Sequence, residues 1–329
     1  MVQGLPGEFE DYLYRVIASL YRYAERLVVV DYPSSPTRRS IDLIVSLPGS
    51  RVVLIKAIYD ASLISKKEVE ELSAVANSLG VSAVIIAERM GREDLLTGVV
   101  YDRYGVNMVN LETFENFVSG REEVYVTRYK DIYTVSISSE KLREKRLEKG
   151  LSLGHLAYML KTSRKSIYEY ERGVMSPSVE KAEKLVDILG EEILEPIDIL
   201  TSPRKPVSKR DFDKPEEALV GEKLLELGFK VSHAKRTVVD LVAGRSGEEG
   251  VGSRIMIVVK RSREGRERMM SRIMKGVKMG SILSSSLYAV VNREEKSLIK
   301  DIDYTKTIVK DVREFINDVS RGRVEENEE

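Results

Sequence analysis

The segment SEKLREKRLEKGLSLGHLAYMLKTSRKSIYEYERGVMSP, residues 139–177, decides how the middle of this 329-residue chain is read. After Gly150, the residues Leu153, Leu156, Ala157 and Leu160 recur at helical intervals and predict one apolar face of a short helix. Lys161 and Thr162 break the pattern. Ser163 is a good N-cap for a second helix whose inward positions are Ile167 and Tyr170. Helices joined by so short a turn cross steeply, so the second can project into a DNA major groove. Arg164, Lys165, Ser166, Tyr168 and Glu169 then fall on its outward side.

Charge follows the same division. The chain carries 53 Lys and Arg against 53 Asp and Glu, a formal net charge of zero that argues against indiscriminate coating of nucleic acid. Residues 140–175 nevertheless hold nine Lys and Arg against five Glu, whereas residues 176–200 hold two Lys against seven acids. A module that faces phosphates on one side and protein on the other has this layout.

Residues 139–200 resemble the lambda-repressor-like, Cro-type helix-turn-helix family. The resemblance rests on LREKR, LSLGHLAYML, SRKSIYEYE and the trailing Gly173 and Pro177, about a fifth of the chain. It implies base and phosphate contacts from Ser163, Arg164, Lys165, Ser166, Tyr168 and Glu169, with Arg172 at the end of the helix. Ser152 would meet a phosphate at the start of the preceding helix, and Arg146 and Glu171 would form an internal ion pair. Leu153 stands where many relatives carry a polar contact residue, and it is left out of the site. Other readings stay open for single positions. Arg164 and Lys165 could be a solvated face, Tyr168 could pack locally, and Glu169 either accepts from cytosine N4 or keeps the helix soluble.

Composition excludes several classes of chemistry. The chain has no cysteine, hence no disulfide and no thiol or Cys-based zinc site, and its two histidines, His155 and His233, lie far apart. No metal and no cofactor are expected. No apolar run approaches the roughly 18–20 residues that span a bilayer. The N-terminal MVQGLPGEFEDYL lacks a basic-then-apolar signal pattern, so a cytoplasmic protein is expected. High charge (32%), a single glutamine and the lack of cysteine hint at a hot environment.

The segments on either side of the module repeat one another. Before it run a helical pattern over 8–24, LVVVDY, SIDLIVSL, RVVLIKAIY, a helix over 65–79, VSAVIIAER, and a strand leading into a helix. After it run a helix over 215–227, FKVSHA, TVVDLVAG, RIMIVVKRS, a helix over 267–283, LYAVVNRE and TKTIVKDVREFI. The landmarks that pair are Ile41-Asp42-Leu43-Ile44 with Val239-Asp240-Leu241-Val242, and Leu54-Ile55-Lys56 with Val258-Val259-Lys260. An internal duplication accounts for this, with residues 247–253 as a turn inserted in the second copy. This order resembles the restriction-endonuclease-like fold of the PD-(D/E)xK nucleases, which include archaeal Holliday-junction resolvases. In that family two carboxylates hold Mg²⁺ and a Lys assists the attacking water. Here Asp42 with Lys56, and Asp240 with Lys260, match the pattern, but Leu54 and Val258 stand where the second carboxylate belongs. The expectation is a scaffold without hydrolysis, each Asp bonded to a neighbouring Lys or amide. Lys56 and Lys260 are either that partner or residual phosphate contacts.

Residues 254–278 hold nine Lys and Arg against Glu264 and Glu267, either a solvated face or an auxiliary phosphate contact. Met269, Met270, Met274 and Met279 read as packing residues. The expected organisation is a nuclease-like α/β domain (1–120), a connecting strand segment (121–138), the helical domain (139–200), a proline-containing linker (201–215), a second nuclease-like domain (216–321) and an acidic tail (322–329). The fold class is thus two α/β domains around a central all-α domain. One Cro-type module reads few base pairs, so specific binding to a duplex operator predicts a homodimer with modules about 34 Å apart. Ile188, Leu189, Ile193, Leu194, Ile197 and Leu200, and the nuclease-like domains, are its candidate surfaces. The expected function is a DNA-binding transcriptional regulator, resembling a group of archaeal helix-turn-helix regulators of similar length. The rivals are a nuclease targeted by the module, and a scaffold for a protein partner. The transcription machinery or an effector ligand remain open as further partners.

Overall fold

The computed structural model describes residues 6–31, 33, 38–129, 131–201, 212, 214–245, 253–261, 264–291 and 307–321. Most of the 201–215 linker, Arg263, most of the 247–253 turn and the 322–329 tail lie outside these residues.

The first α/β unit opens with α1 (Pro6–Leu20), β1 (Arg26–Val29), β2 (Leu43–Leu47) and β3 (Arg51–Ala57). It continues through α2 (Lys66–Leu79), β4 (Ser82–Ile86), a small ribbon of β5 (Arg89–Met90) and β6 (Glu93–Asp94), β7 (Val99–Arg103), β8 (Val106–Val109) and α3 (Leu111–Val118). The chain then forms the hairpin β9 (Val126–Tyr129) and β10 (Ile132–Val135), which extends the same sheet to the order β1-β2-β3-β4-β8-β7-β9-β10. Strands β2 to β4 are apolar nearly throughout because helices cover both faces of the sheet, as parallel pairing with crossover helices requires. Sequence chemistry fixes both ends of the crossover helix α2. Ser65 and Glu68 form a capping box, and Gly80 closes the helix in the left-handed conformation at φ 62°.

The helical unit follows as α4 (Ser139–Glu148), α5 (Leu153–Met159), α6 (Arg164–Glu171) and α7 (Val179–Leu189), with a core of Leu142, Leu156, Leu160, Ile167, Tyr170 and Leu185. It is stitched to the first unit at both ends. Val135 N–H donates to the Pro177 carbonyl (2.9 Å), Ser138 N–H to Ile193 (2.8 Å) and Ile197 N–H to Val124 (2.7 Å). The Asn107 side-chain amide donates to the carbonyls of Ile199 and Thr201 at 3.0 and 2.9 Å.

The second α/β unit comprises α8 (Pro215–Glu226), β11 (Lys230–His233), β12 (Leu241–Arg245), β13 (Ser253–Val259), α9 (Arg266–Leu283), β14 (Ser286–Val290), β15 (Ile308–Lys310) and α10 (Val312–Ser320). Its sheet order β11-β12-β13-β14-β15 repeats β1-β2-β3-β4-β8, with the same parallel and antiparallel pairings.

The strand registers correct one expected pairing. Asp42 N–H donates to Ile55 and Asp240 N–H to Ile257, while the two carboxylates accept from the amides of Ala57 (3.0 Å) and Val259 (2.8 Å). Ile55 therefore corresponds to Ile257, so Lys56 corresponds to Val258, and Leu54 to Met256. Lys260 lies level with Ile58, since their amides donate to Val290 and Ile86 respectively. The missing acid of the second copy is thus replaced by Met256 rather than Val258, and Lys260 does not occupy the position of Lys56.

The two α/β units pack on each other reciprocally, α2 against β11 and β12, and α9 against β1 and β2. One apolar cluster runs through the seam, joining Val75, Ala76 and Leu79 to Val242, Met256 and Met279. On one side the Ser78 and Ser232 hydroxyls meet at 2.8 Å, and Glu71 accepts from the Arg236 amide (2.7 Å) and guanidinium (2.9 Å). On the other side Lys275 pairs with Asp31 at 2.8 Å, and Arg26 donates to the Ser281 carbonyl at 2.8 Å.

This arrangement also corrects the expected dimer surfaces. Leu189 and Ile193 are buried in the helical core, with Ile188 and Leu194 packed against it. Leu200 is buried in the first unit, and Ile197 packs there too. The α2 and α9 faces of the nuclease-like units cover each other. These apolar residues had looked free only because the partners covering them are distant in sequence.

Candidate nucleic-acid interface

Three serines set the start of the helices that matter. Ser138 caps α4, Ser152 accepts from the His155 amide (3.0 Å) at the start of α5, and Ser163 accepts from the Ser166 amide (3.0 Å) at the start of α6. Lys161, at φ 50°, carries the chain through the left-handed turn between α5 and α6. Leu156, Leu160, Ile167 and Tyr170 are buried between the helices, which fixes the opposite side of α6 as its outer face.

On that face Arg164, Lys165, Tyr168 and Arg172 are exposed, Tyr168 to 50%, while Ser166 and Glu169 are half-buried. The stem of Arg164 passes over Gly154, where a Cβ would lie 3.5 Å from its Cδ. Lys165 and Glu169 approach to 3.7 Å, a loose solvated pair that constrains neither. The Arg172 guanidinium sits 5.6 Å from the centre of the Tyr168 ring, so that tyrosine has a local partner. Ser152 and Ser163 are exposed, but each hydroxyl oxygen already serves as a cap, so the hydroxyl proton is what Ser152 has left to offer. The Ser163 and Ser166 hydroxyls also bond each other at 2.9 Å. The eight residues therefore lie on α6, at its C-cap (Arg172), or at the starts of α5 and α6. They divide into four exposed side chains on the α6 face, two half-buried ones and two caps.

Two neighbours were not singled out by the sequence pattern. Tyr158 is 83% exposed near the end of α5, and Lys161 is exposed in the turn. The available signal was the position of Tyr158 off the Leu153-Leu156-Leu160 stripe.

The side chains of Arg146 and Glu171, 8% and 7% exposed, clamp α4 to α6. One guanidinium nitrogen meets the carboxylate at 3.1 Å and another donates to the Leu151 carbonyl at 2.7 Å. The Glu171 carboxylate holds the arginine above its usual pKa. The pair orients α6 from behind.

The two nuclease-like centres are closed. Lys56, 1% exposed, places its ammonium 3.0 Å from the fully buried Asp42 carboxylate, with Leu54 alongside. Burial pushes the Asp42 carboxyl up, and the Lys56 ammonium pulls it back. In the second copy the cation comes from a helix. Arg272, 2% exposed on α9, bonds Asp240 and also Glu264 (3.0 Å), while Arg261 reaches Asp240 at 3.1 Å. Among the described residues no group of three or more His, Cys, Asp or Glu could hold a metal ion.

The basic stretch over 254–278 is largely engaged within the protein. Arg254 donates to the Leu283 carbonyl at 2.9 Å, and Arg261, Arg272 and Lys275 hold ion pairs. Met269 and Met279 are buried, as packing residues should be, and Met274 is exposed. No helix among the described residues is long and apolar enough to cross a membrane.

Comparison with known proteins assigns the first α/β unit and the helical unit. Residues 9–124 match the PD-(D/E)XK superfamily domain, and residues 142–195 match the helix-turn-helix family. A protein of Archaeoglobus fulgidus named "Putative HTH-type transcriptional regulatory protein" is 30% identical over 236 residues, 71% of this chain and 74% of its own length. A like-named protein of Methanocaldococcus jannaschii is 28% identical over 85% of this chain and 93% of its own. One from Sulfurisphaera tokodaii is 27% identical over 85% and 90%. No solved structure matches the chain.

Proposed function

This chain belongs to the archaeal family of HTH-type transcriptional regulatory proteins, and on that premise we propose that it is a sequence-specific DNA-binding regulator with α6 as its recognition helix. The observation that carries the reading is the outer face of α6, where Arg164, Lys165 and Arg172 stand exposed on a helix that a buried ion pair holds from behind. Arg164 and Lys165 take base edges or phosphates, Ser152 and Ser163 take phosphates, and Ser166, Tyr168, Glu169 and Arg172 complete the contact. Replacing Arg164 by Ala is expected to weaken operator binding by about 1–3 kcal/mol and relax preference at one base pair. Binding selection from randomised duplexes, followed by titration, measures both. Unchanged affinity and preference would remove Arg164 from the contact. Lys165→Ala should lower the salt slope by about one if it meets a phosphate.

The working form is a cytoplasmic homodimer that places two modules on a duplex operator. The apolar residues of 188–200 first expected to pair are packed within the chain, whereas Val174, Met175 and Val179, just beyond α6, expose apolar side chains and suit the role. Light scattering at micromolar concentration that gave only monomer would sink the dimer.

The two α/β units act as a scaffold without nuclease activity, with limits near residues 1–120 and 216–321. The presence of a PD-(D/E)XK domain favours one competing reading, a nuclease that the module targets. Plasmid and four-way-junction substrates incubated with Mg²⁺ or Mn²⁺ are expected to remain intact, because Leu54 and Met256 offer no ligand. Cleavage abolished by Asp42→Ala or Asp240→Ala would establish the nuclease instead.

A further inference from the structure

We propose that the seam between the two α/β units binds a small organic anion with a branched or cyclic apolar body. The site is independent of the DNA-reading face.

The two sides of the seam break the symmetry of the duplication. On the α2 side the helix backbone lies directly on β12, because Gly244 has no side chain; a Cβ there would come within 1.9 Å of the Ser78 carbonyl oxygen. The residue that corresponds to Gly244 in the first unit is Ser46, since Lys230 pairs with Gly244 as Arg26 pairs with Ser46. Ser46 carries a side chain where Gly244 has none, and α9 sits more loosely on β1 and β2 than α2 does on β11 and β12. A cavity of about 170 Å³ remains between β1 and α9.

Its lining states the ligand's chemistry. Val28, Val30, Val238 and Met279 supply apolar walls, and Lys275 and Lys278 bring two ammonium groups. Lys275 is held by Asp31 at 2.8 Å, whereas Lys278 is exposed and makes no ion pair among the described residues. The net excess of one positive charge selects an anionic head, and the walls select an apolar body. The volume lies below the roughly 300 Å³ of drug-sized sites, which limits the ligand to the size of a short branched or aromatic carboxylate. A carboxylate that engages Lys275 competes with Asp31, and so releases one of the ion pairs that bridge the units. Occupancy is thereby coupled to how firmly the seam is closed.

The test titrates the full chain with 3-methylbutanoate and benzoate, using inorganic phosphate and 3-methylbutanamide as controls, by calorimetry and ligand-observed NMR. Saturable binding of both carboxylates is expected, with the controls at least about tenfold weaker, the worth of one charge-assisted contact. Lys278→Glu should weaken binding by a similar factor, and Val29→Trp should block the mouth. Asp31→Asn, which frees Lys275, should tighten it. Thermal melts confirm that each variant is folded. Absence of saturation, phosphate binding as well as the carboxylates, or an unchanged affinity in Lys278→Glu would each overturn the site.

Discussion

Arg272→Met is expected to destabilise the second α/β unit by about 3–5 kcal/mol, a large share of the roughly 5–15 kcal/mol that keeps a domain folded. The guanidinium is buried, and it donates to the carbonyls of Val238 (3.0 Å) and Val259 (3.4 Å) as well as to Asp240 and Glu264. Methionine keeps the aliphatic stem but takes the buried cation from two buried carboxylates, leaving Asp240 with Arg261 and the Val259 amide. Urea denaturation followed by circular dichroism should show an early transition for this unit, separate from that of the first. Removing the acid as well, in Asp240→Leu with Arg272→Met, should recover part of the loss, because a missing pair costs less than a widowed charge. A single variant within about 1 kcal/mol of the parent would show that the network contributes little.

The second large effect is expected from Gly244→Val. A Cβ at this position would meet the Ser78 carbonyl at 1.9 Å, and its carbon at 3.0 Å. The obstacle is helix backbone, which cannot swing aside, so α2 must move off β12 as a body. That movement separates Ser78 from Ser232 and Glu71 from Arg236, contacts now at 2.8 and 2.9 Å. Overpacking of this kind costs about 1–3 kcal/mol before the lost polar contacts are counted. Hydrogen exchange should accelerate across α2 and β11, while the helical unit stays protected. Gly265→Ala is the matched control, since nothing lies within 4 Å of its added carbon. Equal exchange in Gly244→Val and the control would mean that the seam tolerates a wider gap than its geometry allows.

Local chemistry was the legible part of this chain. Ser163 announced α6, the apolar spacing put Leu156, Leu160, Ile167 and Tyr170 inside, and the alternation of helices and strands betrayed the duplication. What sequence concealed was register and cover. Lys56 and Lys260 seemed equivalent because each follows an aliphatic pair, yet hydrogen bonds from Asp42 and Asp240 set the alignment two residues apart. Arg272 counted as one more cation in a basic run, although it is the second copy's substitute for Lys56, supplied from a helix instead of a strand. Ile193 and Leu200 looked available for a partner chain, and their partners turned out to be nearer home. Burial depends on residues far away in sequence, so periodicity alone could not reveal it.

The stitching of the helical unit at both ends has a mechanical outcome. Hydrogen bonds from Val135, Ser138 and Ile197 tie its entry and exit to the margin of an eight-stranded sheet, leaving no swivel on which it could turn. In the homodimer proposed above, a reader mounted so stiffly could not lean to accommodate its target, so the protein would dictate the distance and phasing between half-sites. A spacer lengthened by one base pair would have to be absorbed by twisting the duplex.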